Sequence, residues 1–248
     1  MTKFFVYPYR YSCDNAIMLK DALGGQRIKL QNSNYQHKKD HVIVNWGHSK
    51  CPYKERVINH PHAVALAVDK GISFEIMRCE GIPCVPYTTS KEVAKRWVGD
   101  KKLVVGRSEL KSNNGSGIFF LNEVDKDAKL FTQFIPNKEE FRVNVYRGKP
   151  ITIRRKILKK GHQPNKVRSG PNGYYFELCQ DISGEQRKAL NELANKVVKA
   201  HSLDFGGVDI IISEDNKMYV LEVNTAPELQ GFAIKRLAEY IKQDYANA

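Results

Sequence analysis

The chain has 248 residues, 42% hydrophobic and 27% charged, and Lys and Arg outnumber Asp and Glu by 40 to 27, a net charge of +13. This composition excludes a disordered or fibrous chain, and no apolar run approaches the roughly 18–20 residues that a membrane helix needs. The length fits one large domain or two modest ones, and five cysteines at irregular spacing suggest reduced thiols in a cytoplasm, not a disulfide framework.

In chain order, Phe4–Tyr7 reads as a strand, Asn15–Leu23 as a helix stopped by Gly24-Gly25, and His41–Trp46 as a second strand. Strand, helix and strand at this spacing predict a small, mostly parallel sheet flanked by helices. Ala63–Asp69 reads as a helix after Pro61. Ser73 caps a second one, with Phe74, Ile76 and Met77 as its apolar positions and Gly81 as its stop. His60 and His62, beside Pro61, read as an exposed turn. The Pro-rich segment Ile82–Tyr87 sets a boundary between an N-terminal unit, 1–87, and a second unit, 88–248.

Lys101–Arg107, Ile118–Leu121 and Leu130–Ile135 read as strands. Phe141–Tyr146 and Ile151–Ile157 form a hairpin around Arg147-Gly148-Lys149. Gly184–His201 is the clearest helix: Ser183 and Gln186 make a capping box, and Leu190, Leu193, Ala194 and Val197 form one stripe. Two closing strands, VDIII and YVLEV, precede a last helix near Ala233–Gln243. Trp46 and Trp97 read as packing residues, and Cys79 and Cys84 lack the spacing of a zinc site.

The closing strands carry the sharpest chemical signal. Centring their turn on Asp215-Asn216 sets Asp209 opposite Glu222, and Asn224 shares the face of Glu222. Two facing carboxylates repel, whereas two carboxylates and an amide oxygen suit Mg²⁺ shared with phosphate; the alternative is a solvated edge where both acids face water. Ser112, Asn113, Asn114, Gly115, Ser116 and Gly117 join two apolar strands; such a loop can cradle a phosphate, and it also suits an ordinary turn. Gln133, Phe134 and Ile135 end a strand at Pro136, before Glu140. Arg142 and Asn144 share one strand face, and Arg154 and Lys156 share a face of its partner. Together these could clamp a polyphosphate or acyl phosphate, or form a charged outer face.

In this order the pieces resemble the ATP-grasp superfamily, along nearly the whole chain. GVDIII…YVLEVNTAPEL resembles its metal-binding hairpin, the run from Arg107 through Ser112–Gly117 its phosphate-covering loop, and Gln133–Pro136 with Glu140 its adenine hinge and ribose carboxylate. Asn59-His-Pro-His-Ala-Val, Asp69-Lys70, Phe74 and Gly81-Ile82-Pro83 resemble the segment leading into the nucleotide-binding half. Glu140-Phe-Arg-Val ahead of Arg155-Lys156 is similar to the small carboxylate–amine ligases of bacteriophages and bacteria. Departures are Arg107, near which the family usually has a lysine, Ser112 and Asn114, where glycine is commoner, and Gln133, often a glutamate.

The resemblance implies an α/β (α+β) architecture: a small N-terminal α/β domain, then a two-lobed nucleotide-binding domain with largely antiparallel sheets and a mobile lid lobe at 100–135. It implies an ATP-dependent ligase joining a small-molecule or peptide carboxylate to an amine through an acyl phosphate, in a cytoplasm (that of a host, if phage-encoded). Asp209, Glu222 and Asn224 would hold Mg²⁺, two ions or Mn²⁺ in its place; Lys70 and Arg107 would meet the α- and β-phosphates. Arg142, Arg154 and Lys156 would be catalytic, and Asn144 and Thr225 would contact substrate. A phosphotransferase on the same fold is one alternative. A nucleic-acid-binding module is another, suggested by seven positive charges from Arg154 to Arg168 without an acid and by Tyr174, Tyr175 and Phe176.

Overall fold

A computed structural model describes residues 2–111, 117–121 and 128–246. Strand β1 (Lys3–Pro8), helix α1 (Asp14–Leu23) and strands β2 (Gln26–Arg27), β3 (His41–Trp46) and β4 (Val57–Ile58) build an N-terminal sheet of order β2-β1-β3-β4, parallel throughout. Gly24 caps α1 in the left-handed region at φ 66°.

Helices α2 (Pro61–Val68) and α3 (Lys70–Cys79) follow. His60 and His62 are exposed, as expected, and His60 also caps α2, its Nδ1 accepting from the His62 N–H at 3.2 Å. One expectation changes here. Ser73 does not cap α3. Asp69 does, its carboxylate accepting from Gly71 and Ile72 N–H at 3.1 and 3.2 Å, a stronger acceptor placed about one turn earlier. Ser73 lies inside the helix, buried, with its hydroxyl 2.8 Å from His201 Nε2.

Strand β5 (Tyr87–Thr88), helix α4 (Lys91–Gly99) and strands β6 (Val104–Arg107), β7 (Ile118–Leu121) and β8 (Leu130–Gln133) make a small antiparallel sheet of order β5-β8-β6-β7. The amphipathic α4 was missed in the sequence. It packs on this sheet through Ala94, with Trp97 against Val104, Leu121 and Phe131.

Strands β9 (Asn137–Tyr146), β10 (Lys149–Leu158) and β11 (Tyr174–Leu178), helix α5 (Gly184–Ala200), strands β12 (Phe205–Ser213) and β13 (Met218–Asn224), and helix α6 (Phe232–Tyr245) complete the chain. The central sheet is antiparallel with order β11-β10-β9-β12-β13. The β9–β10 turn is Arg147-Gly148, both at positive φ (42° and 82°). Asp204 holds the unusual Arg147 through its carboxylate, 2.8 Å from Nε, and its carbonyl, 2.7 Å from the backbone N. At α5, Ser183 accepts from Gln186 N–H at 3.1 Å, but the Gln186 side chain donates to Glu139 instead of returning to the cap, so the predicted box is half formed.

One core joins α5 (Leu190, Ala194, Val197) and the α2–α3 pair (Val64, Phe74, Met77) to Phe141, Val143, Val208 and Ile210 of the central sheet. A second ties β1, β3, α1 and α6 to Tyr146, Ile151 and Phe205, with Trp46 stacked on Phe205 at 5.2 Å. The N-terminal and central sheets are thus fixed relative to each other through shared apolar contacts. Among the described residues no helix is long and apolar enough to cross a membrane, and all five cysteines are unpaired.

Candidate active site

The central sheet turns one face to α5 and the other to a cleft of about 1260 Å³ that the small sheet and the N-terminal sheet also border. Strand alternation sets the cleft face. Register then aligns its residues into rows that run across the strands. One row is Leu178 on β11, Arg154 on β10, Arg142 on β9, Asp209 on β12 and Glu222 on β13. The row beside it carries Thr152, Asn144, Gly207 and Asn224. On the other side stand Phe176, Lys156 and Glu140.

The facing of Asp209 and Glu222 matches the sequence expectation, although the hairpin reaches it differently. Ile212 pairs with Met218 and Ile210 with Val220, one residue off the predicted register. The turn is tighter than expected, with Asn216 left-handed at φ 63° and Ser213 N–H bonded to the Lys217 carbonyl at 2.9 Å. A β-bulge then lets Leu221 slip in, and from there Asp209 meets Glu222 and Gly207 meets Asn224.

Charge on this face is paired. Arg142 donates from Nε and Nη2 to the two oxygens of Asp209, both at 2.7 Å, a bidentate contact nearly out of solvent. Burial pulls the Arg142 guanidinium down, but Asp209 more than offsets this and holds it above its ordinary value. Lys70, at the start of α3, is 3.5 Å from Glu222. Burial pushes the Glu222 carboxyl up, yet Lys70, Arg142, Arg107 and Lys156 together keep it below the ordinary value, hence ionised. Lys156 binds Glu140, which is buried; burial raises the Glu140 carboxyl, Lys156 draws it partly back, and Asp209 adds to the rise. The ring of Phe176 lies under both Arg142 (4.3 Å) and Lys156 (4.7 Å).

Arg107 ends β6 and enters the cleft from the small sheet. Burial lowers it and Glu222 raises it only partly; its Nε is buried with no hydrogen-bond partner among the described residues. Such a group calls for an anion. Nine Lys and Arg against six Asp and Glu line the whole cleft, an excess that suits a polyphosphate.

Lys70, Arg107, Gln133, Phe134, Ile135, Glu140, Arg142, Arg154, Lys156, Asp209, Glu222, Asn224 and Thr225 all line this one cleft. Ser112, Asn113, Asn114, Gly115 and Ser116, expected to cover phosphate, lie outside the described residues; Gly117, at φ 71°, accepts from the Ser108 N–H through its carbonyl. Asn144 departs from expectation. It is fully buried beneath the row, donates its amide to the Thr152 hydroxyl at 2.9 Å, and presents no surface to a substrate. A Cβ on Gly207 would meet Asn144 Oδ1 at 2.7 Å, so the bare glycine is what lets Asn144 sit there.

Sequence reasoning missed several lining groups. Tyr9 and Arg10 come from the loop after β1, and Lys166 and Arg168 from the loop after β10. Lys166 reaches over the Phe120 ring at 5.7 Å, and Arg168 donates to the Asn137 carbonyl at 2.9 Å. The basic run was visible, but its fold back over the cleft was not.

The donor set fits Mg²⁺. Asp209 and Glu222 face each other, and Asn224 turns its Nδ2 to the Gly207 carbonyl at 3.3 Å, directing Oδ1 away from it. A carboxylate has about four lone-pair sites, so the Arg142 contact leaves Asp209 capacity for a cation. Two carboxylates and an amide oxygen leave room in an octahedral shell for phosphate oxygens and water.

Residues 179–243, spanning α5, the β12–β13 hairpin and most of α6, match the model of the RimK-like ATP-grasp domain. Solved structures match along the entire chain. The ATP-grasp ligase PsnB, in complex with a minimal precursor, gives a TM-score of 0.71 at 13% identity over 98% of this chain and 99% of that one. The chain has the ATP-grasp fold. D-alanyl-alanine synthetase A of Vibrio cholerae aligns at TM-score 0.72 and 15% identity over 99% of this chain and 98% of its own. A RiPP-associated ATP-grasp ligase of Chryseobacterium gregarium, in complex with ADP and a leader and core peptide, aligns at 0.67 and 13% over 100% and 97%. No curated protein matches the sequence. The five-stranded sheet with its hairpin and the β5–β8 sheet are the two lobes that face each other across the cleft.

Proposed function

We propose that this protein is an ATP-dependent ligase that joins a carboxylate to an amine through an acyl phosphate, working in a cytoplasm. The observation that carries the reading is the transverse row, in which two facing carboxylates stand directly beside two arginines. A substrate carboxylate attacking ATP is anion against anion, so fixed positive charge must stand where the two meet.

Gln133, Phe134 and Ile135 line the adenine end and Glu140 the ribose. Lys70 and Arg107 hold the α- and β-phosphates. Asp209, Glu222 and Asn224 hold Mg²⁺, one ion or two, which when bound offsets charge on the phosphate oxygens. The carboxylate oxygen attacks the γ-phosphorus, the bond to the bridging oxygen breaks, and ADP leaves. Arg142, Arg154 and Lys156 hold the resulting acyl phosphate. The amine attacks the acyl carbon, phosphate departs with the bonding electrons, and the amine's surplus proton passes to solvent. Thr225 donates its hydroxyl to substrate.

The test is ADP release over pooled carboxylates with and without amines, with hydroxylamine as an intercepting amine. Release that needs both partners, and hydroxamate when hydroxylamine is supplied, is the expected outcome. A stable phosphorylated product formed without any amine would make the protein a phosphotransferase and overturn the ligase reading.

A further inference from the structure

The two edges of the central sheet are treated differently. At the β13 edge, the Val220 N–H donates to the Pro83 carbonyl at 2.9 Å, and Cys84 forms a bridge to Val220, so the chain itself closes that side. At the other edge β11 pairs only with β10, and among the described residues no strand lies beyond it. Two of its backbone groups are held from within the chain: the Tyr174 N–H donates to the Ser169 carbonyl at 3.1 Å, and Arg154 donates to the Phe176 carbonyl. All five residues of β11 line the cleft. A partly open edge of this kind is a liability unless it is used.

Its side chains argue for use. Seven large hydrophobic residues are exposed in the described structure, and four of them, Tyr9, Tyr175, Leu178 and Phe232, line the cleft. Leu178 is 41% exposed and ends the transverse row, next to Arg154; Phe232, 46% exposed, stands at the start of α6. Exposed apolar side chains gathered at a cleft mark a partner larger than a polar metabolite. Charge defines the partner further. The stretch from Leu158 to Gly173, which leads into β11, holds Lys159, Lys160, Lys166 and Arg168 and no acid. Among the described residues no carboxylate is within ion-pair distance of Lys159, Lys160 or Lys166.

We infer that the carboxylate substrate is a peptide, and that an acidic, partly apolar segment of it docks as a sixth strand on the β11 edge. This rests on the ligase reading for the group delivered, but the docking is a property of the edge alone. Main-chain hydrogen bonds to β11 supply affinity, and alternate side chains meet Leu178 on the cleft side. The acidic part lies at the Tyr174 end, beside the basic loop. The reacting part lies toward Leu178 and Arg154, roughly 13 Å further along at about 3.3 Å per residue. Residues flanking the docked strand enter the cleft at high effective concentration.

A random dodecapeptide library selected on the wild-type protein with ADP and Mg²⁺ tests this whatever the sequence of the natural substrate. Expected are enriched peptides that combine Asp or Glu with apolar residues. Their affinity should fall at least tenfold on Leu178→Asp and on Phe232→Asp, two exposed changes whose folding is checked by circular dichroism. N-methylation of alternate amides in the selected peptide should weaken it equally. The inference is overturned if no peptide is enriched, or if enriched peptides ignore both variants and N-methylation. It is also overturned if oligoglutamate or oligo-dT of equal length competes as well as the selected peptide, which would make the edge a general polyanion attractor. Failure of the ligase reading shows separately, as no ADP release with any carboxylate, and leaves the binding result standing.

Discussion

The two faces of the central sheet use the same strands for opposite purposes. On β9, Phe141, Val143 and Val145 point to the α5 core and are fully buried, while Glu140, Arg142 and Asn144 point the other way and are buried almost as deeply. The first face gains stability simply by leaving water. The second must offset the desolvation of every charge with a partner: Arg142 with Asp209, Lys156 with Glu140, Lys70 with Glu222. Burial therefore does not separate core from chemistry in this protein. Parity along the strand does.

The comparison breaks most visibly at Glu222. Glu222→Gln, at a side chain one-third exposed, should leave the melting temperature nearly unchanged and lower turnover by about 10³ or more, the several kcal/mol that a bound metal supplies. Near-normal turnover would remove Glu222 from the cation site. On the opposite face, Phe141→Ala should cost about 3–5 kcal/mol of stability in a denaturant titration. A loss under about 1 kcal/mol would mean that α5 is not held by this face.

Strand β10 gives a sharper comparison within three residues. Arg154→Ala and Lys156→Ala should each lower turnover about 10²–10³-fold, on the scale of a lost transition-state donor. Arg155→Ala should leave turnover alone. Arg155 points to the α5 side, where it pairs with Glu139 at 3.1 Å and Asp181 at 2.7 Å, and its loss should cost at most about 1 kcal/mol of stability. If Arg155→Ala is the crippling change, the two faces are inverted.

The smallest effect concerns pH. Burial raises the Glu140 carboxyl, with Lys156 offsetting only part. In the proposed reading the ionised form accepts from the ribose and holds Lys156, so the KM for ATP should climb as pH falls through that raised value, above the ordinary carboxylate range. Glu140→Ala should show a KM about tenfold higher or more, roughly 1.4 kcal/mol, and the same at every pH. An acid limb that survives in the variant would assign the titration elsewhere.

Much of this was legible in the sequence because the informative steps are local. Alternation in FRVNVY and ITIRRKI fixes the faces, and the short loop between VDIII and YVLEV brings two acids together. Three things were not legible. Asn144 shares the parity of Arg142 yet is buried under Gly207, because depth along a row depends on the neighbouring strand. The edge strand β11 sits behind a loop of Gly, Pro and Lys that gives no pairing signal, so its aromatics read as a surface patch. Ser73 resembled a cap because its hydroxyl suits one, while its actual partner, His201, lies 128 residues away.

The tie at Val220, ahead of the bulge at Leu221, has a further consequence for how this hairpin can change over time. Register at Asp209 and Glu222 is fixed from the side of β9 and by Asn224 on Gly207, whereas the turn from Glu214 to Lys217 is exposed. Between the tip and the bulge, Val220 is tied to the Pro83 carbonyl and Ile210–Ile212 are paired to β9. A residue gained or lost at the tip is therefore absorbed in the turn itself, before it reaches Val220 and the bulge. The length of one surface turn is thus free to vary without moving the two facing carboxylates.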